Sequence, residues 1–275
     1  GKGVYAQYGV GKPGFDVCSI QFAIHYMFRD MNTLNNFLRN VSETTKVGGY
    51  FIGTSYDGDK VFRMLENKEI GESVSVVENG ERLWEVTKRY SDKRFIADNT
   101  SVNYAIDVFQ ESINKTFSEY LVNYEYLIQV IENYGFVPVT KEEAKSLGLP
   151  NSIGDFSELF YKMEEELNSG ELRRSNIRDA FRMTRDEKRI SFLNKYFVFK
   201  KVRDVNAKDV ARLMIGTSVE DTNEKNPDVI ESEKVIKRVN RPKAKKIKQK
   251  MKLFSVEDDI VENEQNKLNE AVEEK

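Results

Sequence analysis

The chain has 275 residues and a mass of 31.9 kDa, with 39% hydrophobic and 32% charged residues, enough for one sizeable core plus a polar appendage. A formal net charge of −2 and a sequence pI of 5.8 conceal segregated basic and acidic runs near the carboxyl terminus, so whole-chain charge says nothing about polyanion binding. A single cysteine, Cys18, excludes a disulfide framework, and no stretch approaches the roughly 20 consecutive apolar residues of a membrane span, so the expectation is a soluble protein of a reducing compartment, cytoplasm or nucleus.

The chain opens on Gly1 and enters its first strand pattern almost at once, which suggests a fragment whose amino-terminal half lies upstream. Phe15–Gln21 is nearly all apolar and follows the turn signals Gly11, Pro13 and Gly14, so it reads as a strand buried on both faces, a central parallel strand. The run continues as "FDVCSIQFAIHYMF", in which Ser19, Gln21, His25 and Tyr26 interrupt the apolar residues. Burying such groups without partners costs roughly 1–3 kcal/mol, so either the core or a ligand satisfies them. Asp30 caps a helix with Leu34, Phe37, Leu38 and Val41 at i, i+3, i+4 and i+7, ended by Gly48–Gly49 and followed by the buried strand "YFIGTS". Strand, helix, strand is a right-handed crossover of an α/β sheet, in which ligands sit at the strands' carboxyl ends.

A short helix, "DKVFRMLEN", precedes an alternating segment around Asn79–Gly80 that reads as a hairpin outside the parallel core. Ser118 caps a second helix bearing Leu121, Tyr124, Ile128 and Ile131, which ends near Gly135 before the strand "FVPVT". Lys141 to Arg189 reads as an inserted, mostly helical, amphipathic segment with Leu159, Phe160, Met163 and Leu167 as its stripe. The last strand is "KYFVFKKV", with Phe197 and Phe199 on one face and Tyr196 and Val198 on the other. Residues 1–203 thus form one domain and residues 204–275 a disordered charged tail, too poor in apolar residues to offset its ordering entropy. Within the tail, Lys237–Lys252 carries only positive charge, consistent with RNA phosphate contact, nuclear targeting or a solvated linker.

Three ordered blocks, "FDVCSIQFAIHYMF", "FLRNVSETTKVGGYFIGTS" and "FSEYLVNYEYLIQVIENYGFVPV", closely resemble the second half of the mRNA cap guanine-N7 methyltransferases, and "YDGDKVF" is most similar to the form in capping enzymes of large DNA viruses. The resemblance covers Phe15 to Val202. It implies a Rossmann-like class I methyltransferase α/β fold, here the carboxyl-terminal portion of the sheet with helical and hairpin insertions. It also implies S-adenosylmethionine as cofactor and 5′-capped RNA as substrate, with the family's Gly-rich loop and ribose-binding acid lying upstream of Gly1. Triphosphatase and guanylyltransferase domains are further partners that it implies, and a viral factory or virion is an added location.

By the same resemblance, Gln21 and Tyr26 contact the cofactor, Tyr26 also lines the base, His25 bonds the cap guanine, and Glu119 recognises its Watson–Crick edge. Where the family has a tyrosine before the last strand this chain has Asn194, with Tyr196 two residues on as the alternative, and Tyr56 replaces a proline that packs on the base in cellular relatives. Plainer readings stay open: a satisfied core histidine for His25, a strand-edge contact for Gln21, a helix-dipole carboxylate after Ser118 for Glu119, a loop aromatic for Tyr56 and a turn residue for Asn194. No metal ligand set and no catalytic triad is present, which suits a nucleophile with a free lone pair. The alternative functions are a non-catalytic methyltransferase-like lobe that binds RNA or a partner, and a small-molecule methyltransferase on the same fold.

Overall fold

Two strands laid side by side in the same direction need a crossover between them, and the order strand, helix, strand after Gly14 supplies it. The computed structural model describes residues 11, 13–173, 177 and 179–216. In it β1 (Phe15–Gln21) is followed by α1 (Met31–Thr44) and by β2 (Thr45–Tyr56), which runs parallel to β1. The Asp30 side chain accepts the Thr33 backbone N–H at 2.7 Å, the expected cap. Helix α1 ends at Thr44 and the chain enters β2 directly, so Gly48–Gly49 lie within the strand rather than closing the helix. They mark the irregularity where register jumps from Phe15↔Thr45 to Val17↔Tyr50, and a Cβ on Gly49 would meet Asp16 O at 2.9 Å.

β1 departs from expectation. Phe15 and Val17 are 52% and 49% exposed, because among the described residues β1 pairs with β2 alone and stands at the sheet's edge instead of its centre.

On the other side of β2 lies the antiparallel β9 (Asn194–Lys201), which also pairs with β7 (Phe136–Pro138) and β8 (Ile153–Asp155). The core sits on one face of this sheet. Phe51, Phe136, Phe197 and Phe199 pack ring to ring beneath Leu34, Leu38 and Val41 of α1 and Leu127, Val130 and Ile131 of α3 (Tyr124–Asn133). Val198 faces the opposite way into a small cluster with Val139 and Ala144, as the alternation along this strand requires. The described chain is thus α/β, the expected class.

A second, antiparallel sheet runs in chain order through β3 (Ser73–Glu78), β4 (Glu81–Lys88), β5 (Ala105–Gln110) and β6 (Lys115–Tyr120). Asn79 and Gly80 both take positive φ between β3 and β4, the two-residue hairpin that their dipeptide predicts. β5 and β6 were not foreseen, and they correct the placement of Glu119. Ser118 does not cap a helix: its hydroxyl donates to Asp107 Oδ1 at 2.7 Å across the β5–β6 pair, and Asn123 caps α3 by accepting the Tyr126 N–H at 3.0 Å. The two sheets meet through α2 (Gly58–Met64), where the Gly58 N–H donates to Val122 O at 3.0 Å. Any side chain at Gly58 would stand 2.4 Å from that oxygen.

The inserted segment is less helical than its composition suggests. It comprises α4 (Lys141–Ser146), the short β8, α5 (Phe156–Ser169) and α6 (Arg185–Ser191), and of the expected stripe only Phe160 is fully buried, against Phe181 and Phe192.

The domain boundary at 203 also needs correction. Asn206 caps a further helix, α7 (Ala207–Ile215), which lays Ala207 and Ala211 into the main core against α1. Lys201, 4% exposed, anchors the approach by donating to Ser42 O and Thr45 O at 2.8 and 2.9 Å. Residues 217–275, including the basic run Lys237–Lys252, lie outside the described residues.

Truncation after Val202 is therefore expected to lower the thermal midpoint by roughly 5–15 °C, since stripping α7 exposes apolar side chains worth a few kcal/mol. An unchanged midpoint in differential scanning calorimetry would mean that α7 contributes nothing to the fold.

Candidate functional site

Gln21 is the last residue of β1, and the next residue turns the chain sharply. Phe22 adopts φ +51°, unusual for a side chain of its size, and its N–H is held by Thr54 O at 2.9 Å and Thr54 Oγ1 at 3.2 Å. The turn leads into a 3-10 run, Ile24–Arg29, whose Ile24 and Phe28 are completely buried. Those two anchors fix what lies between them. His25 is buried and Tyr26 is 42% exposed, their rings edge to face at 4.2 Å.

Glu119 approaches from β6 of the second sheet, where it is 8% exposed. Its Oε2 stands 3.7 Å from His25 Nε2, too far for a hydrogen bond, and that imidazole nitrogen is buried with no hydrogen-bond partner. Burial raises the Glu119 carboxyl to about 7 and lowers the His25 imidazole to about 4. At neutral pH the histidine is therefore uncharged and the carboxyl group is poised midway through its titration.

Both groups open onto one cavity of about 610 Å³. Tyr56 and Asn194, which are register partners at the adjacent ends of β2 and β9, form one wall. Trp84, Gln110 and Phe117 from the second sheet form another, and Glu187 and Ile190 of α6 close a third side. The Tyr56 hydroxyl accepts from Trp84 Nε1 at 3.0 Å and from Gln110 Nε2 at 3.4 Å, which immobilises the ring. Next to Asn194 in the chain, Lys195 Nζ reaches Asp155 at 2.7 Å and Asp57 at 3.3 Å, and Lys60 Nζ reaches Asp155 at 3.0 Å and donates to Phe192 O at 2.9 Å, tying the ends of these strands together.

Five sequence candidates thus share one cavity: His25, Tyr26, Tyr56, Glu119 and Asn194. Two do not line it. Tyr196 is one full pleat further along β9, about 6–7 Å from Asn194, where β8 covers it and its hydroxyl accepts the Asn151 N–H at 3.2 Å. Gln21 is exposed at the carboxyl end of β1, its amide engaged by Ser19 and Thr54 hydroxyls at 2.9 Å each. Asn194 itself donates to Ser191 O at 3.0 Å, a turn contact made while lining the cavity. The helix-dipole reading of Glu119 falls away, since the residue is in a strand. Sequence reasoning missed Phe22, Trp84, Gln110 and Phe117. Only Trp84, on the inward face of an alternating strand, carried a usable signal.

A cavity lined by a buried carboxyl group and a neutral imidazole, next to the carboxyl end of a parallel strand, agrees with a match of residues 5–202 to the mRNA (guanine-N(7))-methyltransferase domain. The chain belongs to that family. Among mRNA (guanine-N(7))-methyltransferase domains and their carriers it is 25% identical over 234 residues to the "Probable mRNA-capping enzyme" of Acanthamoeba polyphaga mimivirus, covering 78% of this chain and 19% of that one. It is 39% identical over 84 residues to "mRNA cap guanine-N(7) methyltransferase 1" of Arabidopsis thaliana, covering 30% and 21%. With the "mRNA cap guanine-N(7) methyltransferase" of Candida glabrata it shares 27% identity over 194 residues, covering 69% and 44%. The matched part is thus about a fifth of the mimivirus and Arabidopsis proteins and under half of the yeast one.

Burial sets the sign of a stability effect. Because the Glu119 carboxyl is raised in the folded state, its favourable contribution is complete below the ordinary value of 4.5 and is lost as pH climbs through about 7. Glu119→Gln should therefore gain on the parent between pH 4.5 and pH 8, by on the order of 3 kcal/mol in urea unfolding. Parallel stability curves for the two proteins would show that the carboxyl is not buried as described.

Proposed function

We propose that this chain forms the guanine-recognising side of an enzyme that transfers a methyl group from S-adenosylmethionine to N7 of the 5′ cap guanine of RNA. The observation that carries this reading is the confrontation of Glu119 with the unpartnered His25 Nε2 at 3.7 Å inside an aromatic-walled cavity. An ionised carboxylate only accepts, so Glu119 takes the ring N–H and amino N–H of guanine together; His25, neutral, donates to the adjacent carbonyl oxygen. Adenine presents an acceptor and a donor at those two places and leaves both protein groups unsatisfied. Sites of this design reject the wrong partner by factors of up to about 10⁴–10⁵. Tyr56, held by Trp84 and Gln110, offers a fixed ring on which the base stacks.

Guanine N7 has a lone pair and no proton to remove, so the site needs no general base. The side chains fix the base so that this lone pair faces the methyl donor, and orientation of that kind is worth roughly 7–11 kcal/mol. The cofactor supplies an electrophilic methyl on a sulfonium. Gln21 and the exposed Tyr26, at the carboxyl end of β1 where ligands of α/β sheets bind, suit one flank of such a molecule, and Tyr26 lies between that flank and the base pocket. Capped RNA is the partner this reading requires, and the likeness to a mimivirus protein named as a capping enzyme supports a place among other capping activities.

Trp84 is the chain's one tryptophan and lies in the wall of the pocket, so its fluorescence reports occupancy without turnover. The dinucleotide GpppA should quench it and ApppA should not, and Glu119→Ala should abolish the quench while retaining the parent's circular dichroism. Since the carboxylate is the accepting form, GpppA affinity should rise about tenfold from pH 6 to pH 8, following a group that titrates at about 7. Equal quenching by ApppA, or a GpppA affinity that falls over this pH range, would overturn the reading.

A further inference from the structure

Helix α6 presents two different faces to two different hollows. Glu187 and Ile190 look into the guanine pocket. Arg185, Lys188, Arg189 and Phe192 fall at i, i+3, i+4 and i+7, the opposite face, and with Met183 they line a separate concavity of about 460 Å³. Among the described residues no carboxylate lines it. Of the two acidic residues on the helix, Glu187 is turned back as a cap, accepting the Thr184 N–H at 2.6 Å, and Asp186 joins no ion pair among the described residues. Lys188 rests 4.5 Å above the Phe160 ring, and no ion pair joins Arg185, Lys188 or Arg189 to an acidic side chain among the described residues.

Three cations on one face of a seven-residue helix repel each other. Lys188 and Arg189 lie in the last turn, where the helix dipole favours a cation, and Lys188 also rests on Phe160, but Arg185 stands at the first position of the helix, where a cation is disfavoured. The arrangement is explained by a ligand that brings spaced negative charges. The floor adds a second requirement: Phe192 and Met183 are half-buried and apolar, and Phe192 packs against Phe160 at 5.6 Å. A ligand with both properties, anionic groups beside a flat apolar surface, is a nucleotide of a single strand.

We propose that this concavity is a subsite for the RNA chain that follows the cap, with phosphates on Arg185 and Arg189 and a base against Phe192 and Met183. The inference rests on the guanine pocket being the cap site. A helix with its side chains is about 10–12 Å across, a span for the phosphate bridge and first nucleotides of a strand that leaves the pocket over α6. Recognition is then divided: the pocket selects the base, and the far face of the same helix holds the chain, without reading its sequence.

The test compares GpppA with a short capped RNA, both binding the full chain, from 50 to 200 mM salt. The parent should bind the RNA more tightly and with a steeper dependence on salt. The double variant Arg185→Ser/Arg189→Ser should lose about three- to tenfold in RNA affinity, and its slope of log K against log salt should flatten by about 1.4, or 0.7 for each of two phosphates. Its Trp84 quench by GpppA should be unchanged. Arg185→Lys/Arg189→Lys, which keeps the charge, should keep the slope. An unaltered RNA slope in the serine variant overturns the subsite, and so does an equal loss for both ligands, which would mean a structural role for the arginines. Competition by polyglutamate as effective as by uncapped RNA also overturns it, in favour of an acidic protein segment as occupant. If GpppA fails to bind the parent, the guanine reading itself fails, an outcome separate from any of these.

Discussion

A carboxyl group and an imidazole held within 4 Å of each other, both buried and neither bonded, is a costly arrangement that folding alone would remove. Shortening the Glu119–His25 gap by under 1 Å would let the pair bond and recover on the order of 1–3 kcal/mol. The gap persists because each side is fixed by something stronger. His25 sits between Ile24 and Phe28, both completely buried, and Glu119 is locked in the β5–β6 ladder opposite Ile106. The separation is therefore built into two sheets that approach but do not merge, and both residues line the cavity between them.

The rest of the described fold serves to hold those sheets in place. Gly58 bonds Val122 where no other residue would fit, which ties the end of β2 to the segment leaving β6. Lys195 and Lys60 gather Asp57 and Asp155, so that the ends of β2, β8 and β9 converge under Tyr56 and Asn194. The hydroxyl of Tyr56 then links this first sheet to Trp84 and Gln110 of the second. Stability and recognition meet at these contacts: the same network that closes the cavity sets the positions of its polar groups.

Much of this was legible in the sequence, unevenly. The crossover from β1 through α1 to β2 follows from apolar period, the Asp30 cap and chain order, and the hairpin at Asn79–Gly80 follows from its dipeptide. The convergence of His25, Tyr26 and Glu119 was visible through resemblance, while their surroundings were not. Ser118–Glu119 imitates a helix start, and the true cap, Asn123, is five residues later; the turn before β6 has Asn114 rather than glycine at positive φ, so it gave little warning of a strand pair. Tyr196 was misplaced because face alternation ignores how far along the strand the cavity extends. Helix α7 was overlooked because its burial depends on two alanines, which composition does not distinguish from a polar tail.

The most direct measurement is the titration of the Glu119 carboxyl itself, by carbon NMR of carboxyl-labelled protein, with and without GpppA. The free protein should show this group titrating at about 7, and saturation with GpppA should shift it down by more than one unit as the carboxylate gains two N–H donors. A carboxyl that titrates near 4.5 in the free protein, or one that does not respond to GpppA, would contradict the account.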